Sequence, residues 1–569
     1  MIYKALSPWA HISDTKTVCL NPRLPDLNGK TVGLYAHFKW SAPLFNREIE
    51  SLIRQTYPEA KFSYFQYKKD TSELMNDPQA DAEFRAWLEG VDTVVGAYAD
   101  AGSCAMFLAY NMAYAEKLGK PAVLVTKRDM MKAARRGAAV RMVPALRMVP
   151  CGMQDITVLP PSELYGDDAV VAERMIRPQV KAVADELLRA LTSPLTQAEL
   201  EQSDVGLPYA DLVTEGSLED IQRVFYQRGW TMGEPIIPPT EEAVANMLRG
   251  TDLPRDHVVA KIPPMLGLAT VEKIAVSAVM AGCMPAHMPL LIAAVKAITD
   301  PEIHLEGWTC SVAGWGMCLV VNGPVCRDLD INSGANYLTA YKKTSANITK
   351  ALDYIIMNIG GIRPKTEDMS HTGHENRLGV LFAENEAANP WDPLQTDFGF
   401  ERSDSAVTVF WYKQSCGISG TTTRSILDSL CSAGAGSGGG FGGGFAYVIP
   451  PLAARALEKD GWTKKRIVEY ISEYSRQPAD KVNYRLLVGN NHLPPNAILP
   501  LNPNYSMRRF LTTKGMHIIV AGSETTPYGV AFDAISCHGG PACAKIELPA
   551  AWEELKQQYS EMVPGYLEY

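Results

Sequence analysis

The chain has 569 residues, a hydrophobic fraction of 46%, a charged fraction of 21% and a formal net charge of −9. A chain of this length exceeds a single hydrophobic core, so we expect two to four domains. The acidic balance, without a basic stripe of interleaved aromatic residues, argues against a nucleic-acid-binding protein. No apolar run approaches the ~20 residues that span a bilayer.

The N-terminus and the cysteines bear on the cellular compartment. The segment "MIYKALSPWAHISD" lacks the basic stretch followed by an apolar stretch of a signal peptide. Eleven cysteines at scattered spacings are typical of a reducing environment rather than of a disulfide scaffold. We expect a cytoplasmic homo-oligomer that acts on a small molecule, with neither nucleic acid nor a membrane as partner.

The first 195 residues alternate between strand and helix patterns. Their order is strand 30–37, helix 42–57, strand 61–68, helix 81–90, strand 92–99, a helix that starts near Cys104, strand 121–127 and a closing helix 170–193. This alternation predicts an α/β domain, 1–195, with a parallel Rossmann- or flavodoxin-like sheet. Such sheets bind ligands beyond the carboxyl ends of their strands.

A polar linker is predicted over 196–216, followed by a larger α/β or α+β domain over 217–569. This domain has two possible sub-domains, about 217–400 and 401–569. Strand patterns recur at 317–324, 406–412, 445–451 and 516–523. Because three of them run into Pro or Gly and then a polar segment, the pattern suggests an internal repeat.

Residues 97–105, "AYADAGSCA", join a strand to a helix that has Cys104 in its first turn. Unpaired backbone N–H groups and the helix dipole favour a thiolate at that position. Cys104 is therefore a candidate nucleophile, expected to be at least partly exposed, with Ser103 in an anion-binding turn. The alternative is a small residue that packs the helix against the sheet. Strand-end residues His37, Lys39 and Lys127 should lie at the same edge.

This segment resembles the UGSC family, whose motif is selenocysteine or cysteine followed by Gly-Ser-Cys after a strand. "DAGSC", "AEKLGKPAVLV" and "LNGKTVGLYAHFKW" carry the resemblance, and Lys39 falls on the family's lysine. Component B of glycine reductase, where such a turn carries a selenocysteine that attacks carbon, is more distantly similar. The second region resembles a domain often fused to this family in the segments "GWTMGEPIIPPTEE", "TVEKIAVSAVMAGC", "NGPVCRDLDINSGAN", "NIGGIRP" and "FAENE".

Ala101 departs from the family motif, because cysteine or selenocysteine is expected there. Thiol–disulfide exchange within the turn needs a second sulfur, so the motif cannot form a redox pair in this chain. Three alternatives remain. In the first, Cys104 acts alone as a nucleophile. In the second, a thiol from elsewhere, such as Cys151, resolves the mixed disulfide that Cys104 forms. In the third, the first domain is a degenerate scaffold and the chemistry lies in the second.

The second region offers candidate residues for acid–base work and for substrate binding. Glu384, with Asn385 beside it, follows a strand in "LGVLFAENEAANPW" and is a candidate general base, a capping turn being the alternative. The segment "VNGPVCRDLDINSGAN" carries Asn322, Arg327 and Asn332, which suit recognition of a carboxylate or an amide. A turn-rich crossover is the alternative for that segment.

Two further segments carry possible metal ligands. "SHTGHEN" contains His371 and His374, and "SCHGGPAC" contains Cys537 and Cys543 around the candidate binding residue His538. Neither spacing is diagnostic of a metal site. The Gly-rich run "SAGAGSGGGFGGGFAYVIP" lies between a helix and a strand, the reverse of a dinucleotide fingerprint, and lacks the Lys of a P-loop. The sequence thus has no NAD or ATP motif, and a metal or iron–sulfur cluster stays open.

Three functional hypotheses follow. The first is an enzyme that makes or breaks a carbon–heteroatom bond in a small carboxylate-bearing molecule, with oxidoreductase- or lyase-like thiol chemistry at Cys104 and a pocket shared with the second domain. The second is a metal- or cluster-dependent hydro-lyase located wholly in the second domain. The third is a non-catalytic sensor or partner subunit in which Ala101 marks a lost redox site.

Overall fold

In the computed structural model, the described residues are 1–13, 16–39, 41–68, 74–99, 101–152, 168–201, 210–436, 444–478, 506–510, 512–534 and 539–564. They form a mixed α/β protein with one five-stranded sheet in the first region and two four-stranded sheets in the second. The predicted fold class is therefore confirmed. None of the helices in these ranges is long and apolar enough to cross a bilayer.

The elements of the first region follow the predicted alternation. Its strands are β1 (Tyr3–Leu6), β2 (Thr31–Ala36), β3 (Lys61–Gln66), β4 (Thr93–Ala99), β5 (Ala122–Thr126) and β6 (Arg147–Pro150). Its helices are α1 (Ala42–Thr56), α2 (Pro78–Glu89), α3 (Gly102–Lys117), α4 (Met131–Val140), α5 (Asp168–Val171), α6 (Arg177–Ala182), α7 (Ala184–Thr192) and α8 (Gln197–Leu200). The helix predicted over 170–193 is divided by a π-helical turn just before Pro178, whose missing N–H cannot continue the α-helical ladder.

The sheet of the first region has the strand order β3-β2-β4-β5-β6, with every pair parallel. This is the flavodoxin-like order, in which the chain changes direction between β2 and β4. Apolar side chains of α1, α6 and α7 cover one face of the sheet, and those of α2, α3 and α4 cover the other. The carboxyl ends of β2 and β4 therefore flank the crevice in which such sheets bind ligands.

The second region is built from thirteen described strands and eleven described helices. The strands are β7 (Val213–Gly216), β8 (Val258–Ile262), β9 (Gly267–Thr270), β10 (Gly316–Asn322), β11 (Val380–Ala383), β12 (Ala406–Tyr412), β13 (Ser415–Ser419), β14 (Phe445–Ile449), β15 (Arg476–Pro478), β16 (Ser506–Arg508), β17 (Met516–Val520), β18 (Tyr528–Phe532) and β19 (Ala542–Lys545). The helices are α9 (Leu218–Gln227), α10 (Glu241–Leu248), α11 (Val271–Met280), α12 (Met288–Ile298), α13 (Leu305–Thr309), α14 (Val325–Asp328), α15 (Lys343–Asn358), α16 (Thr423–Gly436), α17 (Pro451–Lys459), α18 (Lys464–Tyr474) and α19 (Trp552–Ser560).

One topology occurs twice in the second region. β10 and β11 are parallel and β12 is antiparallel to β10, just as β14 and β17 are parallel and β18 is antiparallel to β14. β13, which follows β12, pairs with β18 in the second sheet, whereas β19, which follows β18, pairs with β12 in the first. The suggested internal repeat is thus present as a repeated strand topology, and each repeat contributes its last strand to the sheet of the other.

The two sheets of the second region pack face to face. Val320, Phe382, Ile519 and Phe532 belong to the apolar layer between them. α11, α12 and α15 cover the outer face of the first sheet, and α16, α17 and α18 cover the outer face of the second. The core beneath α11, α12 and α15 continues without a break into α3, so the two regions share one apolar core.

The first residues of the chain pack with the second region. β1 pairs antiparallel with β7, which lies within the predicted linker. The buried ammonium of Lys273 donates hydrogen bonds to the carbonyl oxygens of Ser7 and Ala210, at 2.8 and 2.7 Å. The domain limits 1–195 and 217–569 stay a prediction, but this N-terminal arm is held by residues of the predicted linker and of the second region.

A buried ion pair fixes the start of the first region to its sheet. Arg23 and Glu116 lie 2.9 Å apart with neither side chain exposed. The Glu116 carboxylate also accepts hydrogen bonds from the backbone N–H groups of Asn21 and Ala122, at 2.9 and 2.7 Å. The pair therefore links three segments: the chain before β2, the end of α3 and the start of β5.

We expect Glu116→Gln to lower the free energy of unfolding by about 3 kcal/mol, because it leaves the Arg23 guanidinium buried without its counter-charge. Urea unfolding checks the value. Asp428→Asn is the matched control, since the Arg424–Asp428 pair is mostly exposed and its loss should cost less than about 1 kcal/mol. Equal effects of the two substitutions would contradict this account.

A buried neutral histidine holds the C-terminal helix. His287 Nδ1 accepts a hydrogen bond from the Met284 N–H, and His287 Nε2 lies 3.1 Å from the Thr344 hydroxyl. That hydroxyl in turn lies 2.8 Å from the Tyr559 hydroxyl of α19. Burial lowers the pKa of His287 to about 3, because a charged imidazole would lose its hydration here.

The depressed pKa of His287 predicts acid lability. Between about pH 6.5 and pH 3 the unfolded chain binds a proton at this position that the folded chain does not, so stability falls as pH decreases, by up to ~1.4 kcal/mol per pH unit. We expect His287→Gln to be less stable than the wild type at pH 7.5, with the difference shrinking from pH 6.5 to 4.5. Thermal unfolding across this range measures it, and a pH-independent difference would refute the assignment.

Candidate functional site

Cys104 lies in the first turn of α3, directly beyond β4. Ser103 is 3% exposed and Cys104 is 6% exposed, so the expectation of a partly exposed thiol is wrong. The reason is that the second region packs on this turn. A Cβ placed on Gly102 would lie 2.6 Å from the carbonyl oxygen of Cys310 and 2.7 Å from Cγ of Met369, closer than real Cβ contacts allow. Only glycine fits at the contact.

The Cys104 side chain lies on a different side of α3 from Gly102. Leu108 and Met112 contact β4 at Gly96, where a Cβ would lie 3.1 and 2.5 Å from their side chains. Because residues four apart share a helix face, Cys104 lies on this sheet-facing side. The turn thus meets the second region through Gly102, while the buried Cys104 lies on the side of α3 that faces the sheet, close to the carboxyl end of β4.

Cationic and imidazole side chains surround the same edge of the sheet. His37 and Lys39 follow β2 and Lys127 follows β5, and all three are buried. The backbone N–H of Lys39 donates to Nδ1 of His37 at 3.2 Å, so the neutral imidazole carries its proton on Nε2. The Lys127 N–H donates to the Ala99 carbonyl at 2.9 Å, and its ammonium lies 3.5 Å from the Asp129 carboxylate. The neighbouring Asp100 lies outside the described residues.

Cys151, the nearest thiol in sequence, follows β6 on the same edge. Two strand spacings separate β6 from β4, about 10 Å, whereas the Cα atoms of a disulfide lie within about 7 Å. The Cys151 thiol is 3.5 Å from the Gln179 carbonyl oxygen, and burial raises its pKa to about 12. This placement favours a structural role over that of a resolving thiol.

Glu384 follows β11 and is buried between the two sheets of the second region. One carboxylate oxygen accepts from the Asn322 amide at 2.8 Å and the Leu394 N–H at 2.6 Å. The other accepts from the Asn389 amide at 2.9 Å and the Val520 N–H at 3.3 Å. Burial raises the pKa of Glu384. Since four donors occupy both oxygens, the geometry favours the capping interpretation over proton transfer.

Two of the other predicted binding residues of the second region, Asn385 and Asn332, lie close to Glu384 in the fold. Asn385 donates its backbone N–H to Val520 and accepts from the Ala388 N–H through its side chain, and Asn332 closes a turn with the Gly334 N–H at 2.9 Å. Arg327 is exposed on α14. Every hydrogen bond of Glu384 goes to a second-region residue, so its cluster is built independently of the Cys104 edge.

The possible metal ligands do not converge within the part of the chain that is described. His371 is exposed, whereas His374 packs edge-on against Tyr412 with its Nδ1 accepting from the Asn376 N–H. Cys543 lies on β19, and burial raises its pKa to about 11. Cys537, His538 and residues 437–443 of the Gly-rich run lie outside the described residues. No group of three His, Cys, Asp or Glu side chains in the described ranges could hold a metal ion.

Sequence reasoning missed two features. His517 on β17 lies 3.2 Å from the Asp397 carboxylate, beside a narrow apolar slot between the two sheets. A larger cavity of about 350 Å³ lies where α3 and α4 meet the second region, with Tyr110 and Arg141 in its wall. No local pattern marks either feature, because the groups come from segments far apart in the chain.

Comparisons with known proteins give one match. No curated protein and no solved structure matches the chain. The model of the UGSC family matches residues 4–193, which include the whole five-stranded sheet, α3 and the Cys104 turn. The similarity of the second region to the family's fusion partner stays a prediction. The match to the UGSC family thus covers the first region of the chain, residues 4–193, and no part of the second.

Proposed function

We propose that this protein is an enzyme that uses Cys104 as a thiolate nucleophile to make or break a carbon–heteroatom bond in a small carboxylate-bearing molecule. The observation that carries the proposal is the position of Cys104. It lies at the first turn of a helix, beside the crevice between β2 and β4, where flavodoxin-like sheets bind their ligands.

The proposed reaction needs one sulfur. The thiolate attacks an electrophilic carbon, the C–S bond forms, and the bond from that carbon to the heteroatom breaks. The heteroatom leaves with the electron pair and takes up a proton, for which the Nε2–H of His37 is the proposed donor. A heteroatom nucleophile, such as water or an amine, then attacks the same carbon, a new carbon–heteroatom bond forms, and the C–S bond breaks with the thiolate as the leaving group, which frees the enzyme. The absence of a second sulfur at Ala101 is compatible with this chemistry.

The charges at the strand ends support a carboxylate substrate. Lys39 and Lys127 bring two buried amines to the edge that contains Cys104. Amines in a water-poor crevice favour both the thiolate and a substrate carboxylate through the same electrostatic attraction. The cover that Cys310 and Met369 form over the turn excludes water from one side of this crevice.

We expect iodoacetamide to modify Cys104 with a pH midpoint below that of a free thiol, about 8.5, since the helix N-terminus stabilises the thiolate. Peptide mass spectrometry measures the rate at each pH. The exposed Cys416 is the internal comparison, because its pKa is raised by desolvation. Cys104→Ser should abolish the part of the iodoacetamide modification that occurs at low pH. A Cys104 midpoint at or above that of Cys416 would support a non-catalytic first domain instead.

A second prediction concerns the substrate charge. If Lys39 attracts a carboxylate, anionic iodoacetate should modify Cys104 faster than neutral iodoacetamide does, with the opposite order at Cys416. Lys39→Met should reverse the preference at Cys104 and raise its pH midpoint by about one unit, because a nearby cation no longer stabilises the thiolate. Lys120→Met, whose ammonium binds the Val91 carbonyl elsewhere, is the control and should change neither quantity. An unchanged preference in Lys39→Met would eliminate this role.

A further inference from the structure

The cavity of about 350 Å³ between the two regions has walls from three parts of the chain. Tyr110, Tyr114 and Arg141 come from the UGSC family domain. The N-terminal arm contributes Ile12 and Ser13, and the second region contributes Met265, Leu266 and Glu306. Its volume lies within the range of small-molecule sites, about 300–1,000 Å³, which occur preferentially at domain interfaces.

One wall of the cavity has a polar group without a protein partner. Tyr110 is 2% exposed, and its hydroxyl has no hydrogen-bond partner among the described residues. An unsatisfied buried hydroxyl is costly, and such groups in native proteins call for an explanation, of which a missing ligand is one. The Arg141 guanidinium lies over the face of the same ring, 3.8 Å from its centre, so a cation and the tyrosine belong to one wall.

The backbone around the cavity is strained. Met142 has φ of 62° and Leu266 has φ of 56°, in the left-handed region that residues with a side chain seldom adopt. Both residues line the cavity, from opposite regions of the chain. Strain of this kind persists where the surroundings fix it and is concentrated at ligand sites.

The lining indicates the chemistry of a ligand. Arg141 and, at the rim, Lys117 provide two positive charges, and Tyr110 provides a hydroxyl donor. Burial raises the pKa of Glu306, the acidic residue of the wall, and the positive charge of Arg141 opposes that shift. Apart from Ser13 and Asn76, the rest of the surface is formed by methionine, isoleucine, leucine, valine and tyrosine side chains. Cationic groups beside an apolar wall suit an anion with an apolar body.

We infer that this cavity is a binding site for a small organic carboxylate, with Tyr110 and Arg141 holding the carboxylate group. The site is separate from the Cys104 thiol. Tyr110 follows Cys104 by six residues, about 9 Å along the helix axis, and Cys104 faces the sheet. Because all three parts of the chain line the cavity, a bound ligand stabilises the contact between the two regions.

Calorimetric titration of the full chain with phenylacetate and with hexanoate tests the inference, with phenylacetamide as the uncharged comparison. We expect at least one carboxylate to bind and phenylacetamide to bind about tenfold more weakly or worse. Tyr110→Phe should weaken carboxylate binding about tenfold while leaving the thermal midpoint of the unliganded protein equal or higher, since no protein partner loses a bond. Tyr447→Phe is the matched control, because its hydroxyl is also buried without a partner in the described residues but lies in another core.

Two further results separate this site from the proposed thiol site. Cys104→Ser should leave phenylacetate binding unchanged, and Tyr110→Phe should leave the pH profile of Cys104 alkylation unchanged. The inference is overturned if neither carboxylate binds at about 10 mM, a concentration that detects even weak sites. Binding that survives intact in Tyr110→Phe, or binding that disappears in Cys104→Ser, also overturns it.

Discussion

The burial of α3 on all sides is the constraint on which the rest of this structure depends. Every residue from Gly102 to Glu116 is buried, so the helix has no face for solvent. One side packs on the parallel sheet, and another packs on the second region. A helix that is apolar all round must lie inside a larger core. The first region therefore reaches its full burial only when the second region is present.

This arrangement unites the two halves of the molecule around a single helix. The start of α3 positions Cys104 at the edge of the sheet, and its later turns form a wall of the interface cavity. The Arg23–Glu116 pair fixes its last turn to the segment before β2. Any shift of the second region against the sheet must move α3 or break its packing, so the thiol edge and the cavity are mechanically linked.

The parts of the fold set by local pattern could be predicted from the sequence, and the parts set by distant pairing could not. The alternation of apolar strands and amphipathic helices predicted the five-stranded sheet. The pairing of β1 with β7 joins residues more than 200 apart and has no local signal. For the same reason the sequence could not reveal that four donors surround Glu384, three of them from outside its own turn, or that Met369 covers the Cys104 turn.

The exchange of strands between the two repeats has a consequence for how the chain is made. During synthesis the first sheet lacks its β19 edge until residue 545 has emerged, and β13 has no partner until β18 follows it about a hundred residues later. Neither sheet can be completed until the strands of the second repeat have been synthesised. Exposed strand edges invite pairing with other chains, so the nascent protein is most open to aggregation until β18 and β19 close both sheets.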